Sequence, residues 1–401
     1  MREYLLEERI GCVNIRWKRR KDAMSEYPAI DFLFLNEEDM VKAGVTDMHA
    51  CADAMEEVLK LLDMGDFMMG GENHYSHGTK LAFPEESPFP EMPSGKGEDR
   101  RFMAMPAYIG GTFDNAGVKW YGSNMENKKK GLPRSILMFT LTDKDTGAPK
   151  AFMSANLISA YRTGATSGAG LRHLARKDSR IAGICGPGVI GRTTFEAIMD
   201  ACPDIELVKI KGRSQKGIDE FMEFAKEKYP DLSVEKVDSL EACVRDSDVV
   251  AFAATSGHDL SKYPKVEREW VKKGSTIACP GGVEFDKDFL VKDCTLAVDA
   301  LGLYKAWASE FPYPTYGNVT MVGTKFMDME HEGLIIDDDI KDVGKILNGK
   351  QKARESDDEI IIYSVGGMPV EDVAWATVCY EKALKEGIGT PLHLWDKPLM
   401  S

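Results

Sequence analysis

The second half of the sequence alternates short apolar runs with amphipathic helical segments, and this alternation constrains the fold more than any other feature. The apolar runs include RIAGIC, VVAFAAT, STIAC and TLAV, which are short and contain no regular polar alternation. Such runs are typical of parallel strands that helices cover on both faces. The sequence therefore predicts a Rossmann-type doubly wound α/β domain over residues 159–325.

A glycine motif lies at the first strand-to-helix junction of this segment. Gly186, Gly188 and Gly191 have the spacing GxGxxG between an apolar run and a helical pattern. The first glycine would form a tight turn, the second would let the backbone approach a pyrophosphate, and the third would let helix and strand pack closely. The free N–H groups at the helix start, at Val189 and Ile190, would face the phosphates. The motif predicts a bound dinucleotide.

The residues after the second strand of the segment bear on whether the dinucleotide is NAD or NADP. An acidic side chain at this place would bind the ribose 2′-hydroxyl of NAD. The sequence there is VKIKGRS, which has no carboxylate and places Arg213 and Ser214 where they could bind a 2′-phosphate. We therefore expect NADP(H) to be preferred over NAD(H); the alternative is that Lys211 and Arg213 are only exposed loop charges. The other expected cofactor contacts are Thr166, Ala254 and Thr255.

The first part of the chain shows a different pattern. After an N-terminal extension over residues 1–29, a helical segment begins at the N-cap Asn36 and continues through Leu62. Three strand patterns follow a proline-rich loop, and the last of them is a hairpin that turns at residues 145–147. We assign residues 30–158 and 326–401, including the late strand in EIIIYS, to a discontinuous α+β domain. The doubly wound domain is inserted in it.

Charge and composition exclude several classes of protein. The net charge of -14 and the pI near 5.1 argue against a nucleic-acid partner, because phosphate recognition needs a basic surface. No stretch has the roughly 18 apolar residues of a membrane span, and the N-terminus is too charged for a signal peptide, so we expect a cytoplasmic protein. The eight cysteines are scattered without zinc spacing, and we expect no metal site.

Five stretches together resemble the ornithine cyclodeaminase and μ-crystallin family. In order, they are RFMAMPAYIGG, GVKWYGSN, LISAYRTGATSGAGLRHLA, GICGPGVIG and GGMPVEDVAWATVCYEKA. The resemblance covers most of residues 30–390. It implies a homodimer built through the discontinuous domain, an amino acid or imine as substrate, and an active site in the cleft that faces the Rossmann domain. Members of the family transfer a hydride to or from a carbon that bears nitrogen beside a carboxylate.

The resemblance implies roles for Lys119 and Arg162, which match the lysine and arginine that bind the substrate carboxylate. A carboxylate buried beside nicotinamide needs fixed cations. Arg162 suits a bidentate contact, whereas Lys119 could act as a point charge or as a proton donor to nitrogen. Taken without the resemblance, Lys119 would be a snorkelling surface residue. Met105, on the strand before Lys119, is expected to line the substrate pocket.

The chain departs from the family pattern before the MP strand, where the family commonly has an arginine. Here the sequence offers Asn73, His74, His77 and Lys80. Either the third carboxylate contact is lost, or Lys80 or a histidine replaces it, and we include His74 and Lys80 among the expected substrate contacts. A histidine at this place could also act as an acid or base; the alternative is an ordinary surface histidine.

A second departure concerns the catalytic aspartate of ornithine cyclodeaminases. Our alignment places Gly282 at that position, so the usual base is missing. Glu284 is the expected catalytic replacement and Asp286 is the alternative, although both could instead begin the following helix as acidic N-terminal residues. The loss of the aspartate weighs against ornithine turnover.

Three functions follow from these observations. The first is an NAD(P)-dependent oxidoreductase of the ketimine reductase or amino-acid dehydrogenase type. The alternative is an ornithine cyclodeaminase, which converts L-ornithine to L-proline plus ammonia and recycles NAD. The third is a non-catalytic NADP-dependent ligand-binding protein or accessory subunit. Retention of Lys119 and Arg162 argues against the third function, since a protein without a substrate carboxylate gains nothing from burying two cations.

Overall fold

The computed structural model of the protein describes residues 28–95, 100–254 and 260–400. Nearly all of the predicted extension and the expected cofactor residue Thr255 lie outside these ranges. The strands are β1 (Ile30–Leu35), β2 (Phe67–Met69), β3 (Thr79–Ala82), β4 (Arg101–Ile109), β5 (Asn115–Ser123), β6 (Ser135–Thr142), β7 (Pro149–Ser154), β8 (Ile181–Cys185), β9 (Leu207–Lys211), β10 (Ser233–Lys236), β11 (Val249–Phe252), β12 (Lys265–Val266), β13 (Thr276–Cys279), β14 (Glu284–Phe285), β15 (Cys294–Val298), β16 (Ile340–Asp342), β17 (Ile360–Ser364) and β18 (Thr390–Trp395). The helices are α1 (Glu37–Lys42), α2 (Met48–Met64), α3 (Asn156–Leu174), α4 (Val189–Ala201), α5 (Gln215–Lys228), α6 (Leu240–Val244), α7 (Lys287–Asp293), α8 (Leu301–Glu310), α9 (Val322–His331), α10 (Val343–Leu347) and α11 (Pro369–Glu386).

The first sheet is mostly antiparallel. Its order is β18-β1-β7-β6-β5-β4-β2, with β3 paired to β4. The predicted hairpin is confirmed, since β6 and β7 pair antiparallel across a turn in which Gly147 has φ of 73°. The helix α11 packs on β4, β5 and β6. On the other face of the sheet, Phe102 and Trp120 stack in exposed positions.

The predicted helix that begins at Asn36 is divided into two. The N-cap is confirmed, because Asn36 Oδ1 accepts a hydrogen bond from the backbone N–H of Asp39 at 2.9 Å. The helix α1 ends at Lys42, and Gly44 then has φ of 85°. Asp47 caps α2 by accepting from the backbone N–H of Ala50. The sequence pattern missed this break because apolar residues continue at helical spacing across it.

The second sheet is entirely parallel, and the predicted doubly wound architecture is confirmed. Its order is β10-β9-β8-β11-β13-β17-β15-β16. The strand order reverses direction between β8 and β11. In open α/β sheets, ligands bind at the carboxyl ends of the strands beside such a reversal. The glycine motif follows β8 directly and therefore lies at this place.

The predicted domain boundary at residue 326 needs correction. The strands β16 and β17 lie in the parallel sheet, and β17 pairs with both β13 and β15. All five residues of β17 are buried, which is typical of a central parallel strand rather than of a half-exposed antiparallel one. After residue 326, α11 packs against the first sheet and β18 pairs with it.

The helix α3 depends on small residues for its packing. A Cβ atom on Gly164 would lie 2.5 Å from the backbone carbonyl carbon of Thr193 in α4, and one on Gly170 would lie 2.4 Å from the Tyr363 ring in β17. These glycines therefore let α3 lie close to α4 and to the parallel sheet. In the described part of the chain, no helix is both long and apolar enough to cross a membrane.

Candidate active site

Two cations and two carboxylates meet in a buried cluster between the sheets. Lys119 on β5 donates to Asp372 Oδ2 at 2.7 Å, and Arg162 Nε donates to Asp372 Oδ1 at 3.1 Å. Arg162 Nη1 donates to Glu371 Oε2 at 2.8 Å. Each of the four side chains is at most 6% exposed. The structure thus brings Lys119 and Arg162 together and adds the two acids that begin α11.

The electrostatics of the two cations differ. Burial and the nearby Arg162 lower the pKa of Lys119 to about 8, although Asp372 opposes this shift. Burial would also lower the pKa of Arg162, but Asp372 and Glu371 together raise it above its ordinary value. Arg162 is therefore a permanent cation, and Lys119 is a cation that can lose its proton near neutral pH. Among the described residues, Arg162 Nη2 has no hydrogen-bond partner and remains available to a ligand.

The cluster lies at the carboxyl ends of the parallel strands. Asp299 follows β15 directly and accepts hydrogen bonds from the backbone N–H groups of Gly366 and Gly367, which follow β17. Gly367 has φ of 72°, and a Cβ atom there would lie 2.1 Å from Arg162 Nη1. Glycine is required at this position both by the backbone conformation and by the close approach of the guanidinium. The loop after β17 therefore fixes one side of the Arg162 pocket.

The histidine that reaches this cluster is His77, so the expected contact from His74 needs correction. His77 Nδ1–H donates to the Gly367 carbonyl oxygen at 3.0 Å, and its ring lies 5.6 Å from the Trp307 ring. Burial, Lys119 and Arg162 lower the pKa of His77 to about 4, so the ring is neutral at pH 7. His74 is exposed and has a left-handed backbone with φ of 61°. The pattern could not separate two histidines in one irregular segment.

The structure places Lys80 and Met105 near Lys119 in different ways. Met105 lies opposite Lys119 in the β4–β5 pair and is only 1% exposed, since Gly78 covers it. Lys80 lies opposite Met103 and therefore shares the face of the sheet that carries Lys119. Lys80 is exposed, and burial and Arg101 lower its pKa. A substrate contact from either residue stays a prediction.

Glu284 lies in a different cluster, and its expected catalytic role needs correction. Its Oε2 accepts from Lys325 Nζ at 2.7 Å, beside Tyr316. It has no hydrogen bond or ion pair to Lys119 or Arg162. The space at Gly282, where the sequence predicts that the family aspartate is missing, is also filled, since a Cβ atom on Gly282 would lie 1.9 Å from the Tyr263 ring. The aromatic ring occupies the space that a carboxylate there would need.

The glycine loop has the geometry that a dinucleotide needs. Gly186 has φ of 98°, and a Cβ atom on it would lie 2.6 Å from the backbone nitrogen of Ala254. A Cβ atom on Gly191 would lie 2.1 Å from the carbonyl oxygen of Gly186. A Cβ atom on Gly188 would meet nothing within 4 Å, so the space above it is open. The helix α4 begins there at Val189 and Ile190 without a side-chain cap, which leaves N–H donors for an anion.

The remaining cofactor predictions have mixed outcomes. Ala254 lies beside Gly186, as described above. Arg213 and Ser214 are exposed directly after β9, and Gly212 lies against Pro187 of the glycine loop. Thr166 needs correction: it is fully buried, and its hydroxyl donates to the Arg162 carbonyl oxygen at 2.8 Å. Its hydroxyl is therefore used inside α3 rather than offered to a cofactor.

Substitution of Gly188 separates cofactor binding from folding. Its backbone has φ of -85° and open space around the added methyl, so we expect Gly188→Ala to fold with an unchanged melting temperature. We expect cofactor affinity to fall by about 10-fold or more, because the methyl would hold the pyrophosphate away from the helix start. Calorimetric titration with NADPH and NADH measures this. Gly317→Ala, outside the loop, is the control for glycine replacement, because its backbone is not left-handed and an added methyl would meet nothing closer than 3.9 Å. Undiminished affinity in Gly188→Ala would contradict the assignment.

Sequence reasoning missed the acids Glu371 and Asp372. A signal for them was present, because GGMPVED puts two carboxylates at the start of a helix that is otherwise apolar over most of its length. Both are fully buried, whereas acids in a first helical turn are ordinarily exposed and interact with the helix dipole. Their pairing with Lys119 and Arg162 joins residues more than 200 positions apart. Only the tertiary structure reveals it.

Known proteins of similar sequence and structure cover nearly the whole chain. The sequence model of the ornithine cyclodeaminase/mu-crystallin family matches residues 44–387. The N-((2S)-2-amino-2-carboxyethyl)-L-glutamate dehydrogenase of Staphylococcus aureus is 26% identical over 91% of this chain and 99% of its own length. The alanine dehydrogenase of Archaeoglobus fulgidus is 29% identical over 85% and 97%, respectively.

A solved structure agrees with these relatives. The Δ(1)-pyrroline-2-carboxylate reductase of Thermococcus litoralis, in complex with NADH and L-proline, superposes with a TM-score of 0.71 and 28% identity. The alignment covers 90% of this chain and 99% of that structure. Together with the glycine loop and the buried cation pair, these matches confirm the predicted resemblance. The chain belongs to the ornithine cyclodeaminase/mu-crystallin family and is an NAD(P)-dependent oxidoreductase of the class that acts on amino acids or imines.

Proposed function

We propose that the protein reduces an imine that carries an α-carboxylate, with Arg162 and Lys119 as the carboxylate-binding pair. The observation that carries this proposal is the buried cluster in which Arg162 Nη2 has no partner among the residues that the structure describes, while Asp372 and Glu371 accept from Nε and Nη1. The helix α3, which carries Arg162, packs against α4, since a Cβ atom on Gly164 would lie 2.5 Å from the Thr193 backbone. A substrate carboxylate on Arg162 would thus place the adjacent carbon between the two sheets.

The glycine loop, Arg162 and Lys119 would have different roles in this reaction. NAD(P)H, held by the loop at Gly186, Gly188 and Gly191, supplies the hydride when bound. Arg162 fixes the carboxylate by charge and by its planar fork. Lys119, with its pKa lowered to about 8, is protonated at pH 7 and can give a proton to the imine nitrogen or keep it protonated. An iminium carbon is electron-poor, so the reaction needs no further base.

Ornithine cyclodeamination fits the site less well. That reaction needs deprotonation steps, and the family aspartate that performs them is replaced by Gly282. The Tyr263 ring fills the adjacent space, with its hydroxyl donating to Thr320 Oγ1 at 2.7 Å. Glu284 is paired with Lys325 and does not reach the Arg162 cluster. These contacts support the reductase over the cyclodeaminase.

A nicotinamide absorbance assay tests the proposal. The protein is mixed with NADPH or NADH and with Δ(1)-pyrroline-2-carboxylate, or with pyruvate and ammonia, and the loss of reduced cofactor is followed. We expect steady oxidation with at least one of these carbonyl or imine substrates. In a parallel assay, L-ornithine is supplied with NAD and ammonia is measured. Ammonia release without net change in nicotinamide absorbance would instead support the cyclodeaminase.

The cofactor preference is a separate part of the proposal. The exposed end of β9 carries Arg213 and Ser214 and no carboxylate, which supports a 2′-phosphate site. We expect Arg213→Ala to reduce kcat/KM with NADPH by roughly 10- to 100-fold, since a charged hydrogen bond contributes about 1.5–3 kcal/mol. The value with NADH should not change. Lys216→Ala, a highly exposed residue of α5, is the matched control; equal loss with both cofactors would contradict the preference.

We further propose a homodimer in the cytoplasm. The outer face of the first sheet exposes Phe102, Trp120 and Ile136, and the first two stack with ring centroids 5.7 Å apart. A contiguous apolar sheet face of this kind is typical of a subunit interface. One alanine dehydrogenase structure that this fold resembles is a dimer with bound NAD. An interface on this face would leave the Arg162 cluster, on the other side of the sheet, open to substrate.

A further inference from the structure

The buried cluster holds more carboxyl groups than cations. Lys119 and Arg162 are the cations, and Asp372, Glu371 and Asp299 are the acids that surround them. A substrate carboxylate would be a fourth anion in a region that water hardly reaches. Buried charges without partners are costly, so such a group shifts its pKa and becomes neutral. Binding of a carboxylate ligand is therefore expected to draw a proton onto this cluster, either onto one of the three acids or onto Lys119.

Every oxygen of Asp299 and Asp372 already accepts a hydrogen bond, although burial raises the pKa of Asp299. Asp299 accepts from the backbone N–H groups of Ala300, Gly366 and Gly367 and from the Tyr304 hydroxyl. Protonation of Asp299 would disturb one of these four contacts. Asp372 accepts from two cations, with one oxygen on Lys119 and the other on Arg162. Neither carboxyl group has an unoccupied oxygen.

Glu371 is different because one of its oxygens is vacant. Its Oε2 accepts from Arg162, but its Oε1 is buried and has no hydrogen-bond partner within residues 28–95, 100–254 and 260–400. The side chain is 0% exposed. A carboxylate oxygen in this state has lost its hydration and gained nothing in return. Burial, Asp299 and Asp372 raise the pKa of Glu371 to about 7, against the opposing effect of Arg162.

We infer that Glu371 takes up one proton from solvent at Oε1 when the substrate carboxylate pairs with Arg162. This proton compensates for the negative charge that the carboxylate adds to the cluster. The inference rests on the proposed function. Once neutral, Glu371 no longer competes as an anion for Arg162, so the guanidinium is freed for the substrate. Glu371 acts through Arg162 and is a positioning residue rather than a catalytic one.

The other titratable groups around Glu371 do not perform this task. His77 faces Lys119 and Arg162 and stays neutral, since its pKa is lowered to about 4. Cys51 and Tyr363 also lie near Glu371, and burial raises the pKa of each well above its ordinary value, so both stay protonated. Lys119, with a pKa near 8, is the one group here that could also take up a proton as an anion binds. The experiment must separate Lys119 from Glu371.

Proton linkage predicts how the affinity for a carboxylate ligand changes with pH. A group that binds more protons in the complex than in the free protein makes binding weaker as the pH rises. The affinity of the wild-type protein for a carboxylate ligand should fall by up to about tenfold per pH unit above about pH 7. In Glu371→Gln, the amide has the shape of the protonated acid and does not titrate, so the part of this slope that begins near pH 7 should disappear.

Calorimetry with an unreactive ligand measures the proton directly. Pyrrole-2-carboxylate carries the carboxylate on a flat ring and cannot accept a hydride. Its binding enthalpy is measured at about pH 7.5 in buffers of different ionisation enthalpy, which gives the number of protons taken up. We expect a clear uptake by the wild-type protein and a much smaller uptake, from Lys119 alone, by Glu371→Gln. Equal uptake by the two proteins, or none by the wild type, would overturn the inference.

Two controls complete the test. Glu196→Gln replaces another buried glutamate, whose oxygens accept hydrogen bonds from Tyr161 and Lys228. This variant should take up protons like the wild type.

If pyrrole-2-carboxylate fails to bind at any pH, the proposed carboxylate site is in error. Infrared titration of the ligand-free wild-type protein then tests whether Glu371 binds a proton near neutral pH. A protonated carboxylic acid band that titrates near neutral pH supports a proton on Glu371 if Glu371→Gln lacks it. Absence of that band from the wild type would refute it.

Discussion

Arg162→Ala is expected to reduce kcat/KM for the imine by roughly 30- to 5,000-fold, because truncation of one partner of a buried, hydrogen-bonded charge pair weakens binding by about 2–5 kcal/mol. The substitution removes the fork that binds the carboxylate and leaves Glu371 without its cation. Most of the loss should appear in KM, since the interaction is already made with the bound substrate. Steady-state kinetics on the purified variant measures both constants.

The control for this variant lies on the same helix. Arg172→Ala removes an arginine of α3 that pairs with Asp53 and Asp200 at the surface, away from the cluster, and its kinetics should match the wild type. If Arg162→Ala does not fold, Arg162→Lys tests the same point, because lysine keeps the charge but loses the planar fork. Wild-type KM in a folded Arg162 variant would show that the carboxylate binds elsewhere.

Lys119→Met is the second variant with a large expected effect. General acid catalysis typically contributes about 10²- to 10⁴-fold, so we expect a loss of that order in kcat. Asp372 remains paired with Arg162, which limits the structural damage. Lys150→Met, which changes a partly exposed lysine on β7, is the matched control. Retention of kcat in Lys119→Met would remove Lys119 from the proposed proton transfer.

The pH profile provides an independent test of Lys119. Its lowered pKa, about 8, means that the ammonium form needed for imine reduction is lost as the pH rises through that value. The reductive kcat should therefore decline above about pH 8 in the wild type, and the residual rate of Lys119→Met should lack this decline. A profile that stays flat to high pH in the wild type would assign the proton to another group.

Local spacing was enough to predict the turn geometry of the glycine loop. Each glycine of the GxGxxG pattern is needed for a local steric reason within one turn of the chain. The close contacts that a Cβ atom would make at Gly186 and Gly191 agree with this prediction. The central parallel strands β11 and β13 were also predictable, since all their residues are buried. The strand β17 was assigned to the wrong sheet, because the sequence of a buried strand does not indicate which strands it pairs with.

The substrate half of the cluster was only partly predictable. Lys119 and Arg162 were identified by resemblance, but the burial of Glu371 and Asp372 depends on how α11 packs against α3 and β5. The choice between His74 and His77 depended on a local backbone conformation that no periodicity encodes. Glu284 was too close in sequence to the missing aspartate to be distinguished from a replacement. Its partner Lys325 is a long-range contact.

The most direct test of the account is to follow the hydride itself. NADPH deuterated at C4 of the nicotinamide, on either face in turn, is supplied with the imine that is reduced fastest, and the product is analysed by NMR and mass spectrometry. The account predicts one deuterium, from one face only, on the carbon that bears both nitrogen and carboxylate. A product without cofactor deuterium at that carbon would contradict the assignment of the Lys119–Arg162 cluster as an imine-reducing site.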